Sequence, residues 1–492
     1  QHSCIAAVVA GCRKSSFYSC GRAAETELAM AKGAHDVLFQ AFDWDSGKYH
    51  GSAGNWYNKV RSHVPELADM GLTMAWLPPP TSSLSKEGYL PKELDNLNSA
   101  YGSREDLEAL LKDMNAAGIK PIADTVLNPR CASHKSPNGA WTQFGGKYNW
   151  DDRAIVCNDP SFPGKGHHST GAPISIAPNI DHKQEFVQND IIDWMKSLQA
   201  IGFKGWRIDY ARGFSGEFVG KYIAATEPYF CVGEYWDSLD YDGGYLKENQ
   251  DPHRSRICHW IDQTGKQASA FDFTTKGILM QAVKAQEYWR LRDRRGKPCG
   301  LMGFWPEKTV TFIDNHDTGS TQQHWPWPAE KVMEGYAYIL THPGVPTVFW
   351  DHVFDWKLKE PIKALIQARK NFGITKTSAV SIERAEASGY VARITASEGS
   401  SQQLYVKIGP LQWAPSEARG WKLQASGPSY AVWGRDGIPK DEEPTLPTRP
   451  SQIFGKMKID PSKLKTYARR VPGDAGSVII HCEYEMDQEE FE

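Results

Sequence analysis

The chain has 492 residues, and its 56 basic and 59 acidic side chains leave a formal net charge of −3. A charge so evenly balanced gives no sign of nucleic acid or an anionic membrane as a partner. No uninterrupted apolar run reaches the roughly 18 to 20 residues that a membrane-spanning helix needs, so neither such a helix nor a membrane partner is predicted. The length is that of two or three domains.

The sequence of the N-terminal 34 residues has no single interpretation. A short apolar run between Cys4 and Cys12 precedes the basic pair Arg13-Lys14, which reverses the order found in a secretory signal. We interpret residues 1–34 as an N-terminal extension, which is a targeting remnant, a linker or the end of an upstream domain.

Eight short segments, apolar on both faces and rich in β-branched or aromatic residues, then recur along the chain. This pattern is typical of buried parallel strands, and most gaps are long enough for one crossover helix. The predicted strands are Asp36–Phe42, Leu72–Leu77, Lys120–Val126, Gly205–Asp209, Tyr229–Tyr235, Ser269–Thr275, Lys308–Asn315 and Pro346–Trp350. They predict an α/β fold, a (β/α)8 TIM barrel, with an open doubly wound sheet as the alternative.

The sequence predicts both the start and the end of one crossover helix. Ser103 and Asp106 have the spacing of a capping box, apolar residues follow at helical intervals, and Gly118 ends the run. A further helix, Glu360–Asn371, is predicted after the eighth strand. Both helices lie where a barrel needs them.

The spacing between predicted strands is irregular at one place. The chain between the third and fourth predicted strands is about twice the usual length. It is rich in Gly, Pro, Ser, Asn and His, so we expect residues 131–180 to form an inserted subdomain after strand 3, domain B. The catalytic barrel is then residues 35–130 and 181–374.

The C-terminal part of the chain changes pattern. Residues 375–435 alternate in short runs and predict an antiparallel β domain. Residues 436–492 are interpreted as a linker and a tail of unknown role. The strands predicted in these two parts are Gly389–Thr395, Gln403–Ile408, Tyr430–Trp433, Lys456–Ile459 and Ser477–His481.

Acidic residues stand at the C-terminal ends of four predicted strands: Asp124, Asp209, Glu234, and Asp314 with Asp317. The reactive side chains of a TIM barrel come from these ends. A carboxylate there is costly unless it is paired or used, and several together indicate acid–base and nucleophilic chemistry on one substrate. A helix cap or a strand-end turn is the alternative for any single Asp.

Asp209 and Glu234 have the characteristics of a glycosidase pair. Asp209 lies two residues after Arg207, so both side chains share one face of a strand and the guanidinium favours an ionised carboxylate. A structural ion pair is the alternative. Glu234 follows an apolar run, where burial raises a carboxyl pKa. Glycoside hydrolysis needs such a nucleophile and such an acid.

Several segments resemble the α-amylases of glycoside hydrolase family 13, and among them the plant type. The signature regions are similar at Gly202–Gly213, Val232–Trp236 and Thr311–Ser320. Further similar segments are Leu38–Trp44, Trp76–Pro79, Gly88–Pro91, Phe271–Gly277 and Gly335–Gly344. The resemblance spans residues 36–435, most of the chain.

The resemblance implies endo-acting hydrolysis of α-1,4-glucosidic bonds in starch- or glycogen-type glucans, by a retaining double displacement. It implies that Asp209 is the nucleophile, that Glu234 is the general acid/base, and that Asp317 holds the sugar hydroxyls. The substrate-binding residues it implies are Tyr89, Arg207, His316, Arg212 and Trp236. The expected partner is an α-glucan, and we expect a monomer that is secreted or in a plastid rather than cytoplasmic.

Two departures from the family pattern stand close together. Asn128-Pro129 replaces the family's Asn-His, so a polar contact with the sugar is missing. The family's calcium would be held by Asn128, Asn179 and the Gly213 carbonyl. Because Asn179 replaces a family aspartate, we expect a weakened calcium site.

These departures keep other functions open. A glucan-binding, amylase-like protein with little or no turnover is favoured by Pro129, whereas the intact Asp209, Glu234 and Asp317 favour the hydrolase. A transglycosylase on the same scaffold is a further alternative. The pair Phe304-Trp305 replaces a family Trp-Trp pair that lies on starch granules, and ordinary surface aromatics are the alternative there.

Overall fold

A computed structural model describes residues 6–11, 33–397, 400–437, 464–470 and 477–484. The chain divides into two compact units, residues 35–437 and residues 1–34 with 438–492. In the described part of the chain, no helix is long and apolar enough to cross a membrane.

Eight parallel strands close into a barrel in the first unit, each paired with its neighbours in chain order and the eighth with the first. The strands are Leu38–Gln40, Met74–Leu77, Lys120–Thr125, Gly205–Ile208, Phe230–Gly233, Ser269–Phe271, Thr309–Thr311 and Val345–Phe349. Nearly all of their residues are buried, because helices cover the outside and side chains fill the inside. The predicted TIM barrel is confirmed.

The helices of the barrel follow the strands in alternation. Their bounds are Trp56–Met70, Arg104–Ala116, Glu185–Ile201, Gly216–Thr226, Asp251–Gln263, Phe273–Ala285, Val332–Thr341, Trp350–Phe354 and Lys359–Asn371. The capping box at Ser103 is present, since its hydroxyl accepts from the Asp106 N–H at 3.2 Å and Asp106 Oδ2 accepts from the Ser103 N–H at 3.0 Å.

The sixth barrel strand is shorter than the sequence predicted. It ends at Phe271 instead of Thr275, because Asp272 accepts the Thr275 N–H at 2.8 Å and caps a helix that begins at Phe273. A run of residues with high β propensity is here overridden by a capping side chain.

The segment between the third strand and helix Glu185–Ile201 contains little regular structure. Its elements are the paired strands His134–Lys135 and Trp141–Gln143 and the short helix Asp152–Ala154. Buried Arg130 holds it together by donating to the carbonyls of Tyr148 at 2.8 Å and Gly145 at 2.9 Å. The boundaries proposed for domain B stay a prediction.

A five-stranded antiparallel sheet follows the barrel, as predicted. In spatial order its strands are Ala379–Glu386, Gly389–Thr395, Gln403–Ile408, Tyr430–Arg435 and Lys422–Gly427. The sequence did not predict the two outermost strands. Both are edge strands with little buried surface, since Val380 and Ile382 of the first are only partly buried and no residue of Lys422–Gly427 is buried.

The second unit contains one antiparallel sheet, in which strand Ser477–Tyr484 lies between Ala6–Gly11 and Leu464–Arg470. The predicted strand Ser477–His481 is part of it, and Leu464–Arg470 was not predicted. The predicted strand Lys456–Ile459 lies outside the described residues.

Candidate active site

A cavity of about 410 Å³ lies at the C-terminal ends of the barrel strands. It brings together most of the residues that the sequence predicted for the site: Asp209, Glu234, Asp317, Tyr89, His316 and Trp236. Its wall also contains Pro129, with Ile174 and Ile176 from the inserted segment. The position of the family histidine is thus occupied by an apolar surface.

Arg207 lies under this cavity, and its side chain is 1% exposed. Its Nη1 donates to Asp209 Oδ1 at 2.6 Å and to Asp124 at 2.9 and 3.1 Å. Its Nη2 is 2.7 Å from Glu234 Oε1, but the two atoms are not aligned for a hydrogen bond. One guanidinium therefore contacts three carboxyl groups, and it donates an aligned hydrogen bond to Asp209 but not to Glu234.

Asp124 is the member of this group to which the sequence gave no role of its own. It is fully buried, and its Oδ2 accepts from Trp76 Nε1 at 3.0 Å and from the Tyr89 hydroxyl at 2.8 Å. Asp124 thus orients Arg207 and Tyr89. The signal in the sequence was an acidic residue inside a buried strand, which is costly unless it has partners.

The protonation states of the two reactive carboxyl groups follow from burial and from Arg207. Burial raises the pKa of Glu234 well above its usual range, and it raises the pKa of Asp209 to about 7 against the opposing charge of Arg207. Since the charge-assisted hydrogen bond goes to Asp209, the anion is best stabilised there and the proton is held by Glu234.

The residue after Asp209 has an unusual backbone conformation. Tyr210 lies in the left-handed region, with φ 41° and ψ 50°, which costs free energy for a residue with a Cβ. This conformation aims its N–H at Glu234 Oε2, 3.1 Å away. The turn therefore fixes the position of the acid relative to Asp209.

Asp317 lies close to the ring of the neighbouring residue His316. His316 Nε2 is 3.3 Å from Asp317 Oδ2, and Nδ1 is 2.9 Å from Gln40 Nε2. Burial lowers the pKa of His316 to about 4, so the ring is neutral near pH 7. With the Gln40 amide donating to Nδ1, the proton is assigned to Nε2, which lies 3.3 Å from Asp317 without an aligned hydrogen bond.

Three nearly parallel rings form one side of the cavity. Tyr89 stacks on His316 with centroids 5.1 Å apart, and Trp44 stacks on Tyr89 and His316 at 6.1 Å. Flat ring faces of this kind suit the apolar face of a sugar. The sequence predicted Tyr89 and His316 for the site but not Trp44.

A buried ion pair supports the loop that carries Asp317. Lys276 Nζ is 3.2 Å from Asp314 Oδ1 and donates to the Trp325 carbonyl at 2.8 Å. Asp314 also accepts from the Thr318 hydroxyl at 2.8 Å. The sequence placed Asp314 at the strand end, but nothing local identified Lys276 as its partner.

Arg212 does not line the catalytic cavity. It lines a neighbouring cavity of about 450 Å³, and its Nη1 donates to the Trp236 carbonyl at 3.1 Å. Trp236 itself stacks on Phe273 with centroids 5.2 Å apart. Arg212 therefore acts on this part of the site through the backbone of Trp236.

The residues predicted to hold calcium do not fit the ion. Asn128 Oδ1 accepts from the Ile180 N–H at 2.7 Å, and Asn179 Oδ1 accepts from the Ile174 N–H at 2.8 Å. Asn128 Nδ2 points at Asn179 Oδ1, 3.3 Å away, and also lies against Gly213. The Asn128 amide N–H2 thus faces the Asn179 oxygen, and internal hydrogen bonds take the place of metal ligands.

The aromatic pair Phe304-Trp305 has cationic neighbours. Guanidinium groups of Arg254 and Arg295 lie 4.0 and 5.0 Å from the centre of the Phe304 ring. Trp305 packs against the core and has Lys266 Nζ 5.9 Å from its ring. Covered rings favour the alternative of ordinary surface aromatics.

Comparison with known proteins shows which family the chain resembles. Residues 41–153 match the family described as alpha amylase, catalytic domain, and residues 371–434 match the alpha-amylase C-terminal beta-sheet domain. The chain is 48% identical over 400 residues to alpha-amylase 3, chloroplastic, of Arabidopsis thaliana, which covers 81% of this chain and 44% of the relative. It is 46% identical over 409 residues to probable alpha-amylase 2 of the same plant, covering 82% of this chain and 95% of the relative.

Solved structures show the same fold at low sequence identity. A cyclomaltodextrin glucanotransferase with three domains has a TM-score of 0.60 at 16% identity, over 82% of this chain and 99% of that one. An alpha-amylase from Malbranchea cinnamomea has a TM-score of 0.57 at 16% identity, over 77% and 86%. With plant relatives matched over four fifths of its length, the chain belongs to the α-amylase family of glycoside hydrolases.

Proposed function

We propose that the protein hydrolyses internal α-1,4-glucosidic bonds of starch- or glycogen-type glucans with retention of configuration. Glu234 protonates the oxygen of the leaving sugar while Asp209 attacks the anomeric carbon, so one C–O bond breaks as another forms. Water, deprotonated by Glu234, then displaces Asp209. Asp317 and the neutral His316 bind the hydroxyls of the sugar in the cavity.

The observation that carries this proposal is that Arg207 contacts Asp209 and Glu234 unequally. Its hydrogen bond to Asp209 favours an anion there, and its unaligned contact with Glu234 leaves that group the proton. Both carboxyl groups contact one guanidinium, which is compatible with the separation of about 5 to 5.5 Å that is usual in the retaining mechanism.

The names of both plant relatives support an α-glucan as partner, and the word chloroplastic in the name of one of them supports a plastid as compartment. A monomer stays our expectation. We further propose that hydrogen bonds among Asn128, Asn179 and Ile180 keep the loop geometry that calcium keeps elsewhere in the family. No step of the proposed mechanism uses a metal ion.

The test compares the wild type with Glu234→Gln on soluble starch. Viscosity should fall faster than reducing ends appear if the bonds cleaved are internal, and the first product seen by proton NMR should be the α-anomer. The variant should lose 10²- to 10⁴-fold in rate. Equal rates for the two proteins would overturn the assignment, whereas binding without turnover by both would show the glucan-binding alternative.

A further inference from the structure

Three carboxylates meet outside the catalytic cavity, at the seam where the eighth barrel strand pairs with the first. Asp43 follows the first strand, and Asp351 and Asp355 belong to the helical turn after the eighth. One oxygen from each residue lies within 4.8 Å of the other two. Among the residues that the structure describes, no other group of three or more acidic, His or Cys side chains has this compactness.

Asp351 is the buried member of this cluster. The residue is only 8% exposed, and within the described chain its Oδ1 has no hydrogen-bond donor. The Ser320 hydroxyl supplies a hydrogen bond to the carboxylate, which leaves an acceptor atom unused. A buried carboxylate oxygen without a donor is costly, so this atom points to a missing ligand.

The positive charge near the cluster does not balance it. Lys59 is the cation that acts on Asp355, but its ammonium group lies over aromatic rings, 4.6 Å from those of Tyr49 and Trp56. Asp43 Oδ1 is satisfied by neutral donors, the Asp45 N–H at 2.7 Å and the Ser46 hydroxyl at 3.0 Å. The positive charge of Lys59 is thus shared between the aromatic rings and Asp355.

The pKa values of the three carboxyl groups also indicate an excess of negative over positive charge. Burial raises the pKa of Asp351 to about 8, and the nearby charges of Asp43 and Asp355 add to the effect. Burial also raises the pKa values of Asp43 and Asp355. Without a cation, the cluster must take up protons or bear mutual repulsion.

We propose that Asp43, Asp351 and Asp355 bind a calcium ion. Calcium prefers carboxylate oxygens at about 2.4 Å, so two of its ligand atoms are at most about 4.8 Å apart, and the three oxygens of the cluster lie within that limit. Water and Ser320 complete the coordination. The ion joins the loop after the first strand to the turn after the eighth, and so fixes Trp44, which neighbours Asp43 and stacks on Tyr89 in the cavity.

Isothermal titration calorimetry of the full chain, stripped with EDTA, tests the proposal with calcium chloride and magnesium chloride as probes. We expect one calcium ion per chain, a thermal midpoint that rises with calcium, and at least tenfold weaker binding by Asp351→Asn. Asp159→Asn is the matched control, since Asp159 bonds to Asn179 in the inserted segment. Its calcium binding should equal that of the wild type.

A second readout does not depend on binding. In EDTA and at a pH above the pKa of Asp351, about 8, Asp351→Asn should unfold at a higher temperature than the wild type, because it removes a buried charge without a cation. Absence of calcium binding by the wild type would overturn the proposal. Loss of binding by Asp159→Asn with retention by Asp351→Asn would do so too, and magnesium binding at least as tight as calcium would overturn the assignment to calcium.

Discussion

The buried pair of Lys276 and Asp314 gives the sharpest prediction about how the site is held. Lys276 has a fully buried side chain and Asp314 one that is 3% exposed, so Lys276→Met leaves an unpaired carboxylate in the barrel. Breaking a buried ion pair in this way costs about 3 to 5 kcal/mol. At roughly 2.1 cal/mol/K per residue, a unit of about 400 residues has an unfolding entropy near 0.85 kcal/mol/K, so the thermal midpoint should fall by about 4 to 6 °C.

Activity should fall with stability, because Asp314 anchors the loop that carries Asp317. We expect kcat/KM on soluble starch to fall at least tenfold at a temperature where Lys276→Met is folded. Lys308→Met is the control, since Lys308 is half-buried and has no ion pair among the described residues. Its midpoint should change by about 1 °C or less.

The double variant Lys276→Met/Asp314→Asn isolates the interaction. Because it removes the unpaired charge, its loss of stability should be smaller than the sum of the two single losses by about 2 kcal/mol. Calorimetric midpoints and urea titrations of the four proteins measure this difference. Strictly additive losses, or a single variant as stable as the wild type, would refute the reasoning.

Three further predictions concern the site and its histidines. Tyr89→Phe removes a hydrogen bond to Asp124, so kcat/KM should fall about 10- to 100-fold. The control Tyr101→Phe loses a hydrogen bond to the Glu87 carbonyl and should keep its activity. Equal effects of the two substitutions would contradict the role of Asp124. The rate should fall as pH drops through the pKa of Asp209, about 7, and persist at higher pH until Glu234 loses its proton; a rate that rises below pH 6 would contradict this assignment. Four histidines are buried in neutral form: His182, His316, His342 and His352. They take up protons only on unfolding, so the free energy of unfolding should fall as the pH is lowered from about 6.5 to 4. A free energy of unfolding that does not change with pH in urea titrations would exclude this effect.

Sequence reasoning succeeded where the signal is local. Apolar runs such as Gly205–Ile208 predicted buried strands, and the spacing of Arg207 and Asp209 predicted their contact. Strand ends were less predictable. Asp272 ended the sixth strand by capping a helix, a choice that depends on one side-chain hydrogen bond rather than on propensity.

The supporting contacts were not predictable from the sequence, because they join distant residues. Asp124 and Arg207 are 83 residues apart, and Gln40 and His316 are 276 apart. Only the closed barrel brings these pairs together. The same holds for Asp43 and Asp351, which meet because the eighth strand pairs with the first.

The central claim is that Asp209 attacks the sugar while Glu234 supplies the proton. A fluorinated maltosyl fluoride that slows the second step should trap the intermediate on Glu234→Gln, since a fluoride leaving group needs little acid assistance. Peptide mass spectrometry should then find one added fluorinated maltosyl group on the peptide that contains Asp209. A label on Asp317 or on residue 234, or rapid turnover of the same compound by Asp209→Asn, would contradict the account.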